Sequence, residues 1–212
     1  MKTILCYGDS NTHGSATDGR PDGRYGPTER YTGVIRAELG SEWLVVEEGL
    51  GGRTTVTDDP VEGLERNGRT YLKPCLESHK PLDIVSIMLG TNDLKARFNK
   101  DSAEIARGMQ ALVEDTQRYA FGPNGSIPEI LIICPPVILR ETPGIHRLFN
   151  AHGHDVSKEL AQEYQRVADL MRVHFLNAGD HITSSTADGI HFDLAAHTTL
   201  GKAIADKVKS IF

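Results

Sequence analysis

The chain has 212 residues, 39% of them hydrophobic and 25% charged, a balance that excludes both a disordered polymer and a protein built of membrane-spanning helices. At about 150 residues per domain, residues 1–212 are expected to form a single domain around one sizeable core. Lys plus Arg number 23 against 29 Asp plus Glu, a net charge of −6, which opposes sequence-blind attraction to nucleic-acid phosphates or anionic lipid surfaces.

Short β-rich apolar runs alternate with stretches of helical period, the pattern of parallel strands joined by crossover helices. Lys2 to Tyr7 is the first predicted strand, and Gly8 and Asp9 interrupt it too early for a signal-peptide core. After an irregular stretch from Ser15 to Glu29, Tyr31, Val34, Ile35 and Leu39 mark a helix that Gly40 ends. Trp43 to Glu48 and Asp83 to Leu89 are the next strands. Asp101 and Glu104 form a D-x-x-E capping box before a helix whose inner face carries Ile105, Met109, Leu112, Val113 and Thr116.

Glu129 to Cys134 is the fourth strand. Pro135 to Asp155 is a second irregular stretch, and its apolar Leu139, Ile145, Leu148 and Phe149 suit a pocket lining or an oligomer interface. Leu160, Tyr164, Val167 and Met171 mark a helix, and Val173 to Leu176 is the fifth strand. Asp193 caps a last helix with Leu194, His197, Leu200, Ile204, Val208 and Ile211 on its inner stripe. The expected fold is a three-layer α/β/α sandwich with a five-stranded, mainly parallel sheet. Cys6, Cys75 and Cys134 match neither a zinc ribbon nor a CxxC pair and read as buried reduced thiols. With no run near the ~18 apolar residues of a membrane span, a soluble cytoplasmic protein is expected, with no membrane partner.

Ligands of open α/β sheets bind outside the carboxyl ends of the strands. The residues there are Gly8-Asp9-Ser10-Asn11, Gly49-Leu50-Gly51-Gly52-Arg53-Thr54, Gly90-Thr91-Asn92-Asp93 and Asp188-Gly189-Ile190-His191. Together they offer a hydroxyl, backbone amides beside glycine, a carboxamide, a carboxylate and an imidazole. A serine hydroxyl becomes a nucleophile when an imidazole takes its proton and a carboxylate holds that imidazole in the right tautomer. Ser10, His191 and Asp188 suit those roles. The N–H groups of Ser10 and Gly52 and the Asn92 amide suit an oxyanion hole. Singly, each has a plainer reading: Ser10 as a helix cap, Gly51-Gly52 as a tight turn, Asn92 as a cap, Asp188-Gly189 as a turn and His191 as an ordinary histidine. Their joint occurrence is what points to chemistry.

These four blocks, in this order and covering nearly the whole chain, resemble the SGNH (GDSL-type) hydrolases, with a flavodoxin-like sheet implied. The resemblance implies Ser10 as nucleophile, Asp188 and His191 completing a triad, and Ser10, Gly52 and Asn92 lining the oxyanion hole. Asn11 departs from the commoner Leu. Glu47-Glu48-Gly49-Leu50-Gly51-Gly52-Arg53-Thr54, Tyr71-Leu72 and Leu89-Gly90-Thr91-Asn92-Asp93 resemble the small bacterial arylesterase and acyltransferase branch. That branch implies short acyl esters, no cofactor, some acyl transfer and a homo-oligomer. His13 and Ser15, where some relatives carry bulky aromatics, together with Leu50 and Ile190, are expected to bind substrate, and the polar pair points toward acetylated carbohydrates as well as aryl esters. The alternatives are a lysophospholipase or thioesterase for longer chains, and a carbohydrate-binding module without catalysis.

His152-Gly153-His154-Asp155 has a possible zinc-ligand spacing, but a solvated loop or helix start is the preferred reading, and no metal is expected. Arg53, Thr54, Thr55, Asp58 and Asp59 are expected as loop and subunit-contact residues. GxxxxGK[ST], GxGxxG and GxSxG are all absent from the sequence, so phosphate-cradle, dinucleotide and α/β-hydrolase readings lack their signatures.

Overall fold

The computed structural model describes residues 1–140 and 148–212; Ile145 of the second irregular stretch lies outside them. Strand β1 (Lys2–Gly8) sets the layering. Its side chains alternate between faces, so Leu5 and Tyr7 enter one core cluster while Ile4 and Cys6 enter another on the opposite side of the sheet. Four further strands follow, β2 (Trp43–Gly49), β3 (Ile84–Met88), β4 (Glu129–Cys134) and β5 (His174–Asn177), each within a residue of its expected bounds. All pair in parallel in the order β2-β1-β3-β4-β5. Strand order therefore reverses between β1 and β3, which makes that edge the expected ligand crevice.

Among the described residues, seven α-helices supply the other layers: α1 (Ser10–His13), α2 (Tyr31–Leu39), α3 (Gly68–His79), α4 (Ser102–Tyr119), α5 (Ala151–Ser157), α6 (Leu160–Met171) and α7 (Leu194–Ile211). Helices α2 and α7 cover the Ile4 face, and α3, α4 and α6 the Leu5 face. The capping box at α4 forms in both directions, with Glu104 N–H donating to Asp101 and Asp101 N–H to Glu104. Asp193 caps α7 by accepting the Ala196 N–H at 2.8 Å. No described helix is long and apolar enough to cross a membrane.

Three helices lie where sequence periodicity predicts none, the one-turn α1 among them. Asn67 caps α3, and Leu72, Cys75 and Leu76 form its buried stripe, but Pro74 inside it removes a backbone donor and masks the pattern. Asn150 caps α5 by accepting the Gly153 N–H, so the second irregular stretch ends earlier than expected.

Helix α2 has no side-chain cap of its own. The buried His197 of α7 supplies one, its Nδ1 accepting the Tyr31 N–H at 3.2 Å. Burial drives the His197 pKa down to about 4, keeping the ring neutral and able to accept.

The two helices also touch closely at Gly201, where an added methyl would lie 2.5 Å from Val34 Cβ and 2.7 Å from Tyr31 O. Inside a helix, Gly→Ala ordinarily stabilises by about 0.5–1 kcal/mol. Here overpacking, at about 1–3 kcal/mol, outweighs that gain. Urea unfolding of Gly201→Ala is therefore expected to show a net loss of stability.

Candidate active site

The first block leaves β1 through Asp9, which caps the short helix α1 by accepting the Asn11 N–H at 2.9 Å. Ser10 is the first helical residue. Gly14, in the left-handed region at φ +87°, donates its N–H to Ser10 O and ends the helix after one turn. Asn11, whose side chain matters little to the chemistry on sequence grounds, is 1% exposed and spans two loops. Its Nδ2 donates to Ile190 O at 3.3 Å and its Oδ1 accepts the Phe192 N–H at 3.1 Å. The carboxamide thus pairs with the peptide on each side of His191.

The second block is a turn, Leu50 to Arg53, closed by Arg53 N–H donating to Leu50 O at 3.1 Å. Gly52 sits at φ +77°, which a type II turn requires at its third position. In the third block, Asn92 Nδ2 donates to Arg53 O at 3.1 Å and lies 3.4 Å from Asp9 Oδ2. That second contact is the longer and weaker of the two. Beside it, buried Asp93 accepts the Thr55 N–H and the hydroxyls of Thr55 and Thr57, tying the second block to the third. Among the described residues, neither the Ser10 nor the Gly52 N–H has an acceptor.

The last block closes the site. His191 Nε2 is 2.9 Å from Ser10 Oγ, and its Nδ1 is 2.6 Å from Asp188 Oδ2. The other Asp188 oxygen accepts the N–H groups of Ile190 and His191. Burial alone would raise the Asp188 pKa, but the hydrogen bonds and charge of His191 and those two amides outweigh it and hold the carboxyl below its usual range. An ionised Asp188 requires Nδ1 to carry the proton, which leaves Nε2 to accept one from Ser10. Such a line can activate the hydroxyl for acyl transfer.

The line ends in a cavity of about 300 Å³. Ser10, Gly52, Asn92, Asp188, Ile190 and His191 line it together, with Leu148 and Phe149 on an apolar side and Glu62 and Lys95 on a polar one. The other expected substrate-binding residues lie elsewhere. Because Gly14 turns the chain away after α1, Ser15 bridges Arg24 and His13 packs under Gly49. Leu50 faces a separate cavity with Tyr71 and Glu48. Glu62 and Lys95 are cavity residues that sequence reasoning missed, since both sit in loops whose partners are remote in sequence.

Arg53, Thr54, Thr55 and Asp59, expected at subunit contacts, are instead almost wholly buried within the chain. Phe149 lines the cavity as expected, while Leu139 donates its N–H to Gly189 O beside it. His152 and His154 do not converge: one ring contacts Lys100 O and the other Ile138 O. Among the described residues, possible metal ligands gather instead at Glu48, Cys75 and His79, where His79 Nε2 and Glu48 Oε1 already pair at 2.8 Å.

The family model for GDSL-like lipases and acylhydrolases matches residues 6–198. A carbohydrate acetylesterase from Sinorhizobium meliloti is 41% identical over the whole of both chains, with a TM-score of 0.91. An aryl esterase of M. smegmatis is likewise 41% identical over the whole of both chains, at a TM-score of 0.92. A carbohydrate acetylesterase family member from S. meliloti is 33% identical over 100% of this chain and 99% of its own, at 0.91. Among curated proteins no match is found.

Two outcomes follow from the first block. Asn11→Leu leaves the Ile190 carbonyl and the Phe192 amide unpaired, so denaturant unfolding should show a loss of about 1–3 kcal/mol, together with a fall in turnover as His191 loosens. Asp9 is buried, and desolvation raises its pKa from 3.8 to about 6 despite the Asn11 N–H and the nearby His191. A raised carboxyl pKa favours folding below the unfolded value and loses that contribution as pH climbs through the folded one. Asp9→Asn should therefore match the wild type near pH 3.5 and become more stable by up to about 3 kcal/mol above pH 6, measured as Tm against pH.

Proposed function

The chain belongs to the GDSL-like lipase/acylhydrolase family, and from that premise we propose that it is a serine esterase for short acyl esters of aryl alcohols or acetylated carbohydrates. The observation that carries the reading is the line from Asp188 through His191 to Ser10, at 2.6 and 2.9 Å, ending in a small cavity. The S. meliloti carbohydrate acetylesterase and the M. smegmatis aryl esterase support the substrate classes.

Ser10 Oγ attacks the ester carbonyl carbon as His191 Nε2 takes the hydroxyl proton. The carbonyl oxygen, now an oxyanion, accepts from the N–H groups of Ser10 and Gly52 and from the Asn92 amide. Asp188 stabilises the imidazolium. Collapse breaks the bond to the alcohol oxygen, which leaves with the proton from His191. Water, or a competing alcohol in acyl transfer, then attacks the acyl-Ser10 carbonyl and gives its proton to His191, and collapse frees the serine and the acid or new ester.

At about 300 Å³ the cavity lies at the lower end for small-molecule sites, which supports acetyl-sized acyl groups over long chains. Its two walls divide the work. Leu148, Phe149 and Ile190 suit an aryl or methyl group, and Glu62 and Lys95 suit sugar hydroxyls. The polar wall takes the place of His13 and Ser15 in supporting a carbohydrate substrate. We further place the protein in the cytoplasm as a single-domain subunit of a homo-oligomer. Three buried, free cysteines suit a reducing compartment, and exposed Leu148 beside the cavity suits a subunit contact.

A fluorophosphonate is expected to label Ser10 covalently, and Ser10→Ala to abolish both labelling and turnover of aryl acetates. An unlabelled wild type removes the enzyme reading. Across an acyl series from acetyl to palmitoyl, rates should fall with length, and a preference beyond about eight carbons favours the lysophospholipase alternative.

A further inference from the structure

The donor at Gly52 depends on the orientation of one peptide group. Gly51 and Gly52 are the two central residues of the Leu50–Arg53 turn, so the Gly51 carbonyl and the Gly52 N–H belong to the same peptide. Type I and type II turns differ by a flip of that central peptide through about 150–170°. The flip exchanges the faces to which its carbonyl and its N–H point. With glycine at both positions, no side chain opposes it.

In the structure the turn is type II, because φ is positive at Gly52 and not at Gly51. One side-chain contact holds the carbonyl end: Arg66 Nη1 donates to Gly51 O at 2.9 Å. A trans peptide carries its C=O and N–H in opposite directions. Holding the carbonyl toward Arg66 therefore aims the Gly52 N–H away from it, and that N–H has no acceptor among the described residues.

Arg66 is itself fixed. Its backbone carbonyl accepts the Thr54 N–H at 2.9 Å, and its side chain lies against Gly52, where an added methyl would meet Cδ at 3.4 Å. The loop that delivers it is pinned by an ion cluster in which Asp59 and Glu62 pair with Lys95 and Arg97.

We propose that Arg66 is a positioning residue of the oxyanion hole: its guanidinium locks the Gly51–Gly52 peptide in the orientation that presents the Gly52 N–H to the substrate. A cationic donor on the carbonyl also polarises the peptide and makes its N–H a stronger donor. The inference rests on the esterase reading above and assigns no contact between Arg66 and substrate.

The test combines kinetics with a transition-state mimic. Phenyl trifluoromethyl ketone, labelled with ¹³C at its carbonyl, adds Ser10 Oγ to give a hemiketal. The hydroxyl pKa of that hemiketal, read by NMR, reports the strength of the hole. In Arg66→Met, kcat for an aryl acetate should fall about 10- to 100-fold, short of the 10²–10³ that outright loss of a donor costs. KM should stay within about threefold, because the interaction is made to the developing charge. The hemiketal pKa should rise by about one unit, the equivalent of a tenfold loss.

Arg66→Lys, which keeps a cationic donor and is the fallback if Arg66→Met fails to fold, should lie between the wild type and Met on both readouts. Wild-type kcat in either variant, or a reduced kcat with an unmoved hemiketal pKa, overturns the proposal while leaving the esterase reading intact. A wild type that fails to add to the ketone overturns both.

Discussion

Arg53 carries its guanidinium into the interior at the carboxyl edge of the sheet, where it donates to Gly8 O at 2.8 Å and to Glu48 O at 2.5 Å. Those carbonyls terminate or nearly terminate β1 and β2; Gly8 O also accepts the Leu50 N–H at 3.1 Å, so the guanidinium is a second donor at the edge where the ladder ends. The same residue closes the Leu50 turn with its N–H and accepts Asn92 Nδ2 on its carbonyl. Three of the four rim blocks therefore meet at one residue, through its side chain and its backbone together, and that residue is 3% exposed. Its guanidinium also stacks on Tyr7, 4.2 Å from the ring centroid. Removing the side chain would take the guanidinium's bonds from the ends of two strands and its stack from Tyr7, so the geometry of the rim depends on it.

The other ties follow the same logic of remote loops joined by polar contacts at a buried edge. Asp93 binds the second block to the third, and Asn11 binds the first to the last. Farther out, Asp59 and Glu62 pair with Lys95 and Arg97 in a cluster whose charges sum to zero. Burial by itself would raise the Asp59 pKa, but the bonds from Arg97 and from the Glu62 and Val61 amides bring it down to about 2. Buried ion pairs gain little net stability over apolar packing, yet breaking one strands its partner. Here they fix a loop that carries a cavity wall and Arg66, so their value lies in position.

The cavity is correspondingly divided. One wall is apolar and comes from Leu148, Phe149 and Ile190; the other is charged and comes from Glu62 and Lys95. Glu62 gives one carboxylate oxygen to both Lys95 and Arg97, leaving the other toward Gly52. A neutral substrate with an apolar acyl group and a hydroxylated alcohol fits both walls, whereas an anionic group brought beside Glu62 would be repelled.

Much of this was legible in the chain. Strand positions, the caps at Asp101 and Asp193, and the grouping of Ser10, Gly52, Asn92, Asp188 and His191 on one rim follow from local pattern, because periodicity, capping and the rule for parallel sheets act over short stretches. Helix α3 was hidden by Pro74, and the direction of His13 and Ser15 by the one-turn length of α1. Arg53 and Arg66 look like ordinary loop arginines, and Asn11 like an inert variant. What the sequence determined by itself was which chemical groups reach the edge of the sheet. Which way each group points was decided by the tertiary structure, since a glycine turn or a histidine loop has several local conformations of similar energy, and contacts from residues remote in the chain select one.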